Sequence, residues 1–322
     1  GLGKGWMGIL FAVLMIITFG FAYNSVQSNT ICLAWQKAFG IEPATMGIAL
    51  TVLTLIIIFG GIQRVAKFSS TVVPVMAVVY LLIAVGVVVW NITSLPKVLL
   101  TIVENAFGFN QAAGGVLGVT VIQGIKRGLF SNEAGEGSAP NAAAVATVSH
   151  PVKQGLIQAL GVFTDTLVVC SCTAFIILVS GVDVTASNGI QLTQDALTHE
   201  IGSIGNPFVA VMIWLFAFSS IIGNYYYGET NVRYIKDSKL GVFLYRLAVA
   251  AMVMVGAVVS LDFAWSFADI TMALLTLCNL VAIVLLSRQA VFLLQDYRQQ
   301  KKEGKNPVFT KSKMPEIADK LE

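Results

Sequence analysis

Charged side chains are scarce in this sequence: Asp, Glu, Lys and Arg together make up 11% of its 322 residues, against about 25% in an ordinary soluble domain. That excludes a water-facing surface over most of the chain. The formal net charge is only +3, and its lysines and arginines concentrate at and beyond Arg288, so no basic face for a nucleic acid is left. Histidine is nearly absent, with His150 beside Pro151 in a loop and His199 in an acidic segment, neither set among metal ligands. The four cysteines, Cys32, Cys170, Cys172 and Cys278, fall inside apolar runs and read as small apolar residues, not as a disulfide or zinc framework. No convergent nucleophile, acid and base is present, which excludes a membrane enzyme. Short alternating segments of about ten residues are also missing, which excludes a transmembrane β-barrel.

Long apolar runs fill the space that charge leaves. Hydrophobic residues make up 56% of the chain, the mean hydropathy is +0.80, and a membrane span needs about 20 apolar residues. Such runs recur at Trp6–Trp35, Met46–Gly60, Val72–Trp90, Ala113–Phe130, Gly155–Val182, Pro207–Tyr227, Gly241–Ser260 and Phe263–Ser287. They predict an all-α polytopic membrane protein with about eight spanning helices. Leu95–Phe109 reads as an amphipathic interfacial helix outside the membrane. Alternate loops differ in basic charge: one side carries Lys4, Arg64, Lys67, Lys153, Arg233, Lys236, Lys239 and the C-terminal segment, while the other carries only Lys37 and Lys97. The excess of Lys and Arg on the cytoplasmic side then places both ends of the chain in the cytoplasm. The domain reading is a transmembrane unit over residues 1–295 and a solvated, loosely ordered tail over 296–322. The start, Gly-Leu-Gly-Lys-Gly-Trp, has no signal-peptide pattern and reads as the middle of a longer chain.

Against this apolar background one segment stands out, Arg127-Gly-Leu-Phe-Ser-Asn-Glu-Ala-Gly-Glu-Gly-Ser-Ala-Pro-Asn-Ala-Ala-Ala144. It is no phosphate loop, because it lacks the Gly-Lys-Ser/Thr ending and a preceding strand. Irregular glycine-rich backbone at membrane depth survives only where it is buried in protein or lines a cavity. The stretch from Ala113 to about Thr147 as one helix would also outrun the hydrocarbon thickness. A discontinuous helix with its break near Phe130–Gly137 is therefore predicted. The other reading is a helix that exits near Arg127 and leaves Lys126, Arg127, Glu133 and Glu136 in an ordinary charged loop.

Two further polar patches interrupt the runs. Tyr23-Asn-Ser-Val-Gln-Ser-Asn-Thr30 is too polar for lipid, and Gln27 shares a helical face with Asn24 and Tyr23. Gln27 is either a ligand contact or a polar tie between helices. In Phe216-Ala-Phe-Ser-Ser220 the carbonyl of Phe216 and the hydroxyls of Ser219 and Ser220 can meet at one spot. Hard oxygens suit a small cation, although hydroxyls also bond a carbonyl one turn back for purely structural reasons. Glu133 is an acid at membrane depth, a functional marker unless it sits at the mouth. Asp165 and Asp269 carry the same ambiguity and receive no role.

The string Lys126-Arg-Gly-Leu-Phe-Ser-Asn-Glu-Ala-Gly-Glu-Gly-Ser-Ala-Pro-Asn-Ala resembles the signature of the bacterial and archaeal alanine or glycine:cation symporter family. Ser25-Val-Gln27, Phe216-Ala-Phe-Ser-Ser220 and Asp269-Ile-Thr-Met-Ala273 are similar to that family's segments, in the same order. The resemblance implies a LeuT-like fold of inverted repeats, of which the eight runs here would be core helices three to ten, with the N-terminal helices missing. It implies Na⁺-coupled symport of a small neutral amino acid by alternating access in a bacterial or archaeal plasma membrane, with no other cofactor. The partners would be the amino acid, sodium and the lipid bilayer. By the same resemblance Gln27, Phe130, Ser131 and Asn132 would contact substrate, and Phe216, Ser219 and Ser220 would serve sodium, with Glu133 and Gly135 as further possibilities. Glutamine in place of alanine, H⁺ in place of Na⁺, and a fragment that does not itself transport stay open.

Overall fold

A computed structural model describes residues 2–60, 62–107 and 114–314, with side chains described for all of these except 62–70, 72, 73 and 114–120. Among the described residues every regular element is a helix: α1 (Gly5–Phe39), α2 (Pro43–Phe59), α3 (Ile62–Trp90), α4 (Leu95–Ala106), α5 (Gly114–Asn132), α6 (Ser138–Ala143), α7 (Pro151–Ser180), α8 (Ile190–Ile201), α9 (Gly205–Ile235), α10 (Lys239–Val258) and α11 (Leu261–Lys302). Five stretches among them are long and apolar enough to cross a membrane: Gly5–Phe39, Pro151–Ser180, Ile190–Ile235 (α8 with α9), Lys239–Val258 and Leu261–Lys302. Pro74–Trp90 with Leu95–Ala106, bent by 103°, makes a sixth if counted as one span, and Pro43–Phe59 is a shorter apolar helix. Of the expected interfacial helix, Gly108 and Phe109 lie outside the described residues, as do Ala113 of the fourth apolar run and the side chains of Arg64 and Lys67.

The distribution of polarity is that of a membrane protein. Leu240, Phe243 and Leu244 of α10 and Leu274, Leu277 and Val284 of α11 face outward, where hydrocarbon solvates them. Asn24, Ser25, Ser28 and Asn29 of α1 and Asn224 and Asn231 of α9 are buried. With no water inside, these groups need internal partners, and most have them. Ser28 Oγ donates to the Val253 carbonyl at 2.6 Å, and Asn29 Nδ2 donates to the carbonyls of Gly256 and Val259 at 3.0 and 2.8 Å. The polar patch of α1 therefore does not interrupt the helix; it is the face that holds α10.

α9 runs through the middle of the bundle. Phe218, Ile221, Ile222 and Tyr225 pack with Ile31 of α1, Leu50 of α2 and Val249 and Val253 of α10. Missing side chains allow the close approach. A Cβ at Gly256 would lie 2.5 Å from Ser25 Cα, so α10 touches the α1 backbone there. The Tyr245 ring of α10 fills the notch between Gly20 and Gly228, where added Cβ atoms would meet it at 2.9 and 1.9 Å. Small residues permit this kind of contact between membrane helices.

Two helices carry a π-helical turn, α1 at Ile16–Tyr23 and α7 at Thr164–Val169. Such turns rotate the following face and recur at functional sites. α7 starts at a cap made by His150, whose Nδ1 accepts from the Val152 amide at 3.2 Å, with Pro151 at the first helical position.

Of the tail read as loosely ordered over 296–322, residues 315–322 lie outside the described residues, and residues 296–314 are ordered. α11 continues to Lys302, and residues 303–314 fold back onto the start of α7. Phe309 N donates to the Ser149 carbonyl at 2.8 Å, Lys153 Nζ reaches Asn306 Oδ1 at 2.7 Å, and Lys313 pairs with Asp296 at 2.7 Å. Buried His150 completes this junction against Asp296 at 3.2 Å. Composition alone predicted solvation because the lysines find their partners only in three dimensions.

Gly256→Ala is expected to destabilise the bundle by about 1–3 kcal/mol, the cost of overpacking a tight contact. Gly124→Ala, where an added Cβ meets nothing within 4 Å, is expected to leave stability unchanged or slightly raised. Thermal midpoints of the purified variants in detergent check both.

Candidate functional site

The chain leaves helical geometry where α5 ends at Asn132. Glu133 has φ 53°, and Gly135 and Gly137 have φ 84° and 85°, before α6 begins at Ser138. Left-handed backbone is inexpensive at glycine and strained elsewhere, so Glu133 is the strained position. At Gly137 a Cβ would also strike Phe11 and the Asn279 side chain at 2.8 and 2.9 Å. Side chains satisfy the freed backbone groups. Asn132 Oδ1 accepts from the Ala134 amide at 3.0 Å, and Asn279 Nδ2 of α11 donates to the Gly135 carbonyl at 2.8 Å. Asn141 Nδ2 donates to the Gly137 carbonyl at 3.0 Å and is held in turn by Asn231 of α9 at 3.1 Å.

A cavity of about 300 Å³ opens beside this break. Tyr23 and Gln27 of α1 form one wall, Phe130, Ser131 and Glu133 of α5 and the break a second, and Ser219, Ser220, Gly223, Asn224 and Tyr227 of α9 the third. A larger hollow of about 830 Å³ between Trp6 and Leu10 of α1 and Leu277 and Val281 of α11 is mostly apolar. It lacks the convergent polar groups that orient a ligand.

Aromatic rings and ions close one side of the polar cavity. Phe130 meets Tyr23 edge-on at 4.8 Å and Trp265 of α11 at 4.7 Å. The Arg127 guanidinium lies 4.2 Å from the Trp265 ring and pairs with Asp269, with Lys126 3.7 Å from the same carboxylate. Arg127 and Lys126 thus belong to an ion cluster with α11 and not to an exposed loop. Asp165, in the π turn of α7, accepts from the Ser131 hydroxyl.

Of the residues singled out in the sequence, Gln27, Phe130, Ser131, Glu133, Ser219 and Ser220 come together around the cavity. Three others sit elsewhere. Asn132 turns to α7, donating to Thr166 Oγ1 at 3.2 Å. Gly135 faces Thr276 and Leu280 of α11. Phe216 packs its ring on Tyr80 at 5.8 Å, and its carbonyl accepts from Ser219 and Ser220 at 2.8 and 3.1 Å. Both serine hydroxyls are therefore engaged one turn back, with their lone pairs still free to accept or coordinate. Among the described residues no group of three or more His, Cys, Asp and Glu could hold a metal.

Sequence reasoning missed Gly223, Asn224 and Tyr227. The signal was present: they continue the Ser219–Ser220 face at three- and four-residue steps. It also missed the bond from the Tyr23 hydroxyl to Glu136, 2.9 Å from both carboxylate oxygens, since 113 residues separate the pair.

Fold and site together define a multi-pass helical membrane protein with a polar cavity at an interrupted helix. The chain belongs to the sodium:alanine symporter family, whose model matches residues 1–311. It is 54% identical to the probable sodium/glutamine symporter GlnT of Bacillus subtilis, over 97% of this chain and 65% of that protein. It is 52% identical to the amino-acid carrier protein AlsT of the same organism, over 98% of this chain and 68% of the relative. With the sodium/alanine symporter AgcS of Methanococcus maripaludis it shares 35% identity, over 95% and 68%. The chain spans about two thirds of the length of these relatives.

Gly223 lines the cavity, and an added Cβ there meets nothing within 4 Å. Gly223→Cys is expected to fold with an unchanged thermal midpoint and to take up a small polar thiol reagent beyond the labelling of the parent protein. Absence of added labelling would mean that the cavity is closed to water.

Proposed function

We propose that this protein is a secondary transporter that moves a small neutral amino acid, alanine or glycine, together with Na⁺ by alternating access. The observation that carries the reading is the cavity itself, where α1, the broken α5–α6 segment and α9 bring Gln27, Phe130, Ser131, Ser219 and Ser220 to one place. A zwitterion needs donors for its carboxylate and acceptors for its ammonium, and a broken helix offers both kinds of freed backbone group. Gln27 and Ser131 orient the substrate in this reading and Phe130 covers its side chain, while Asn132, which the resemblance put against the substrate, acts from behind by holding the turn to Thr166 and Ala134. A cavity of about 300 Å³ is at the small end of ligand sites. Na⁺ binds next to Ser219, Ser220 and the Phe216 carbonyl, and no other cofactor takes part. Glu133 and the Gly135 backbone complete the region.

Sodium and substrate share a free energy of coupling, each raising affinity for the other by the same factor, so the ion gradient supplies the work. The fold is LeuT-like in this proposal, with eight spans corresponding to core helices three to ten. The membrane is the plasma membrane of a bacterium or archaeon, both ends of the chain are cytoplasmic, residues 1–295 form the membrane unit and 296–322 the cytoplasmic segment. Glutamine is the second reading, favoured by the 54% identical relative named for it.

Uptake of labelled alanine, glycine and glutamine into proteoliposomes of the purified protein tests the proposal. Accumulation is expected only under an inward Na⁺ gradient. Gln27→Ala and Ser131→Ala are each expected to weaken substrate affinity about 10- to 100-fold, the loss of one hydrogen bond to a charged group, and Asn132→Ala to weaken it indirectly through the turn it holds. Uptake untouched by all three removes the site, and uptake driven equally by a proton gradient without sodium removes the ion assignment.

A further inference from the structure

Glu136 is fully buried and has no part in the substrate and sodium contacts proposed above. Its carboxyl lies behind the cavity wall, not on it, and Tyr23 stands between: the phenol ring faces the cavity and the hydroxyl donates to both carboxyl oxygens at 2.9 Å. Among the described residues neither Glu136 nor Glu133 forms an ion pair with a lysine, arginine or histidine. Arg127 and Lys126, the nearest basic residues in sequence, are committed to Asp269. A buried carboxylate without a cation carries a large desolvation penalty, and one phenol hydroxyl offsets only part of it.

The titratable groups around Glu136 come from each packed element. Tyr23 faces it from α1 and Glu133 from its own turn; Tyr227 of α9 and Asp165 of α7 act on Glu133, and Asp269 of α11 acts on Tyr23. On the α11 side the neighbour of the adjacent Gly137 is neutral Asn279. Of these acids Glu133 is the one that shares the turn with Glu136, and the Tyr23 hydroxyl is the one donor that reaches its carboxyl.

We propose that the Glu136 carboxyl is a proton-binding site whose occupancy is coupled to the substrate cavity through the Tyr23 phenol. One H⁺ from water adds to a carboxylate oxygen and leaves by the same route, with no other bond changed. With the proton bound, the turn between α5 and α6 is electrically balanced apart from Glu133. With it released, the charge holds the Tyr23 hydroxyl as its donor and fixes the ring, and with it Phe130, against the cavity. A ligand that shifts Tyr23 removes that donor and raises proton affinity, so ligand binding and protonation favour each other. This rests on the transport reading for the identity of the ligand, though not for the carboxyl itself.

Infrared difference spectra of the purified protein between mildly acid and mildly alkaline buffer read the carboxyl directly. A protonated-acid carbonyl band is expected in the acid state, lost in Glu136→Gln and shifted in Tyr23→Phe. Alanine and glutamine affinities, measured by equilibrium binding across the same range, are expected to fall with rising pH by at most about tenfold per unit, the slope of one linked proton, and to become flat in Glu136→Gln. No band assignable to Glu136 overturns the proton site, and a pH profile unchanged by Glu136→Gln overturns the coupling. If neither amino acid binds at any pH, the transport reading falls and the coupling with it, while the band still decides the proton site. Gel-filtration profiles of the isosteric variant report its folding.

Discussion

The structure depends on one constraint: a polar group taken out of water must find its partner inside the protein. In α1 that constraint explains why a sequence too polar for lipid stays a continuous helix, since Ser28 and Asn29 exchange water for the carbonyls of α10. At the α5–α6 break it accounts for three asparagines: Asn132, Asn141 and Asn279 each supply a bond that the interrupted helix has lost. Without them the turn from Glu133 to Gly137 would leave these backbone groups without protein partners. Glycine supplies the other half of the arrangement, by letting α10 close onto α1 and α9 until carbonyls and hydroxyls reach one another.

The same constraint decides how far the sequence could be read. The break was legible because glycine, proline and acid clustered in an apolar chain are hard to reconcile with a regular lipid-facing helix, and the irregular backbone falls at Glu133–Gly137. The inward face of α1 was legible from helical spacing. Much of the cavity was visible as short patches in three separate runs, but not that Asn132 turns to α7 or that the Phe216 ring leaves the site for Tyr80. A motif reports which residues are polar and close in sequence; it does not say which side of a broken helix each one takes. The fold-back of residues 303–314 was illegible because its partners, Ser149, Lys153 and His150, lie about 150 residues upstream. Nothing local in a lysine-rich segment distinguishes docking from solvation.

The cavity walls differ in character. α1 and α9 are joined to α10 through the Tyr245 notch and the Gly256 contact, which makes that side a stiff frame. The opposite wall is the end of α5 and the strained turn that leads to short α6, backed by the π-helical turn of α7 and tied to it by side-chain bonds such as Ser131 to Asp165 and Asn132 to Thr166. A ligand placed between them meets a closely packed surface on one side and an irregular one held by side-chain bonds on the other. Differential affinity for two arrangements of the irregular side is what any ligand-driven change requires.

At 1.5 Å per residue the 42 residues of α11 extend roughly 60 Å, about twice the hydrocarbon thickness. Its early turns carry Asp269, tethered to Arg127, and its far end carries Asp296, pinned beside His150 at the root of α7. α7 in turn holds Asp165 against Ser131. The rod therefore joins the aromatic cluster at one end to the foot of α7 at the other, and with α7 it closes a ring of ion pairs and hydrogen bonds around the back of the cavity.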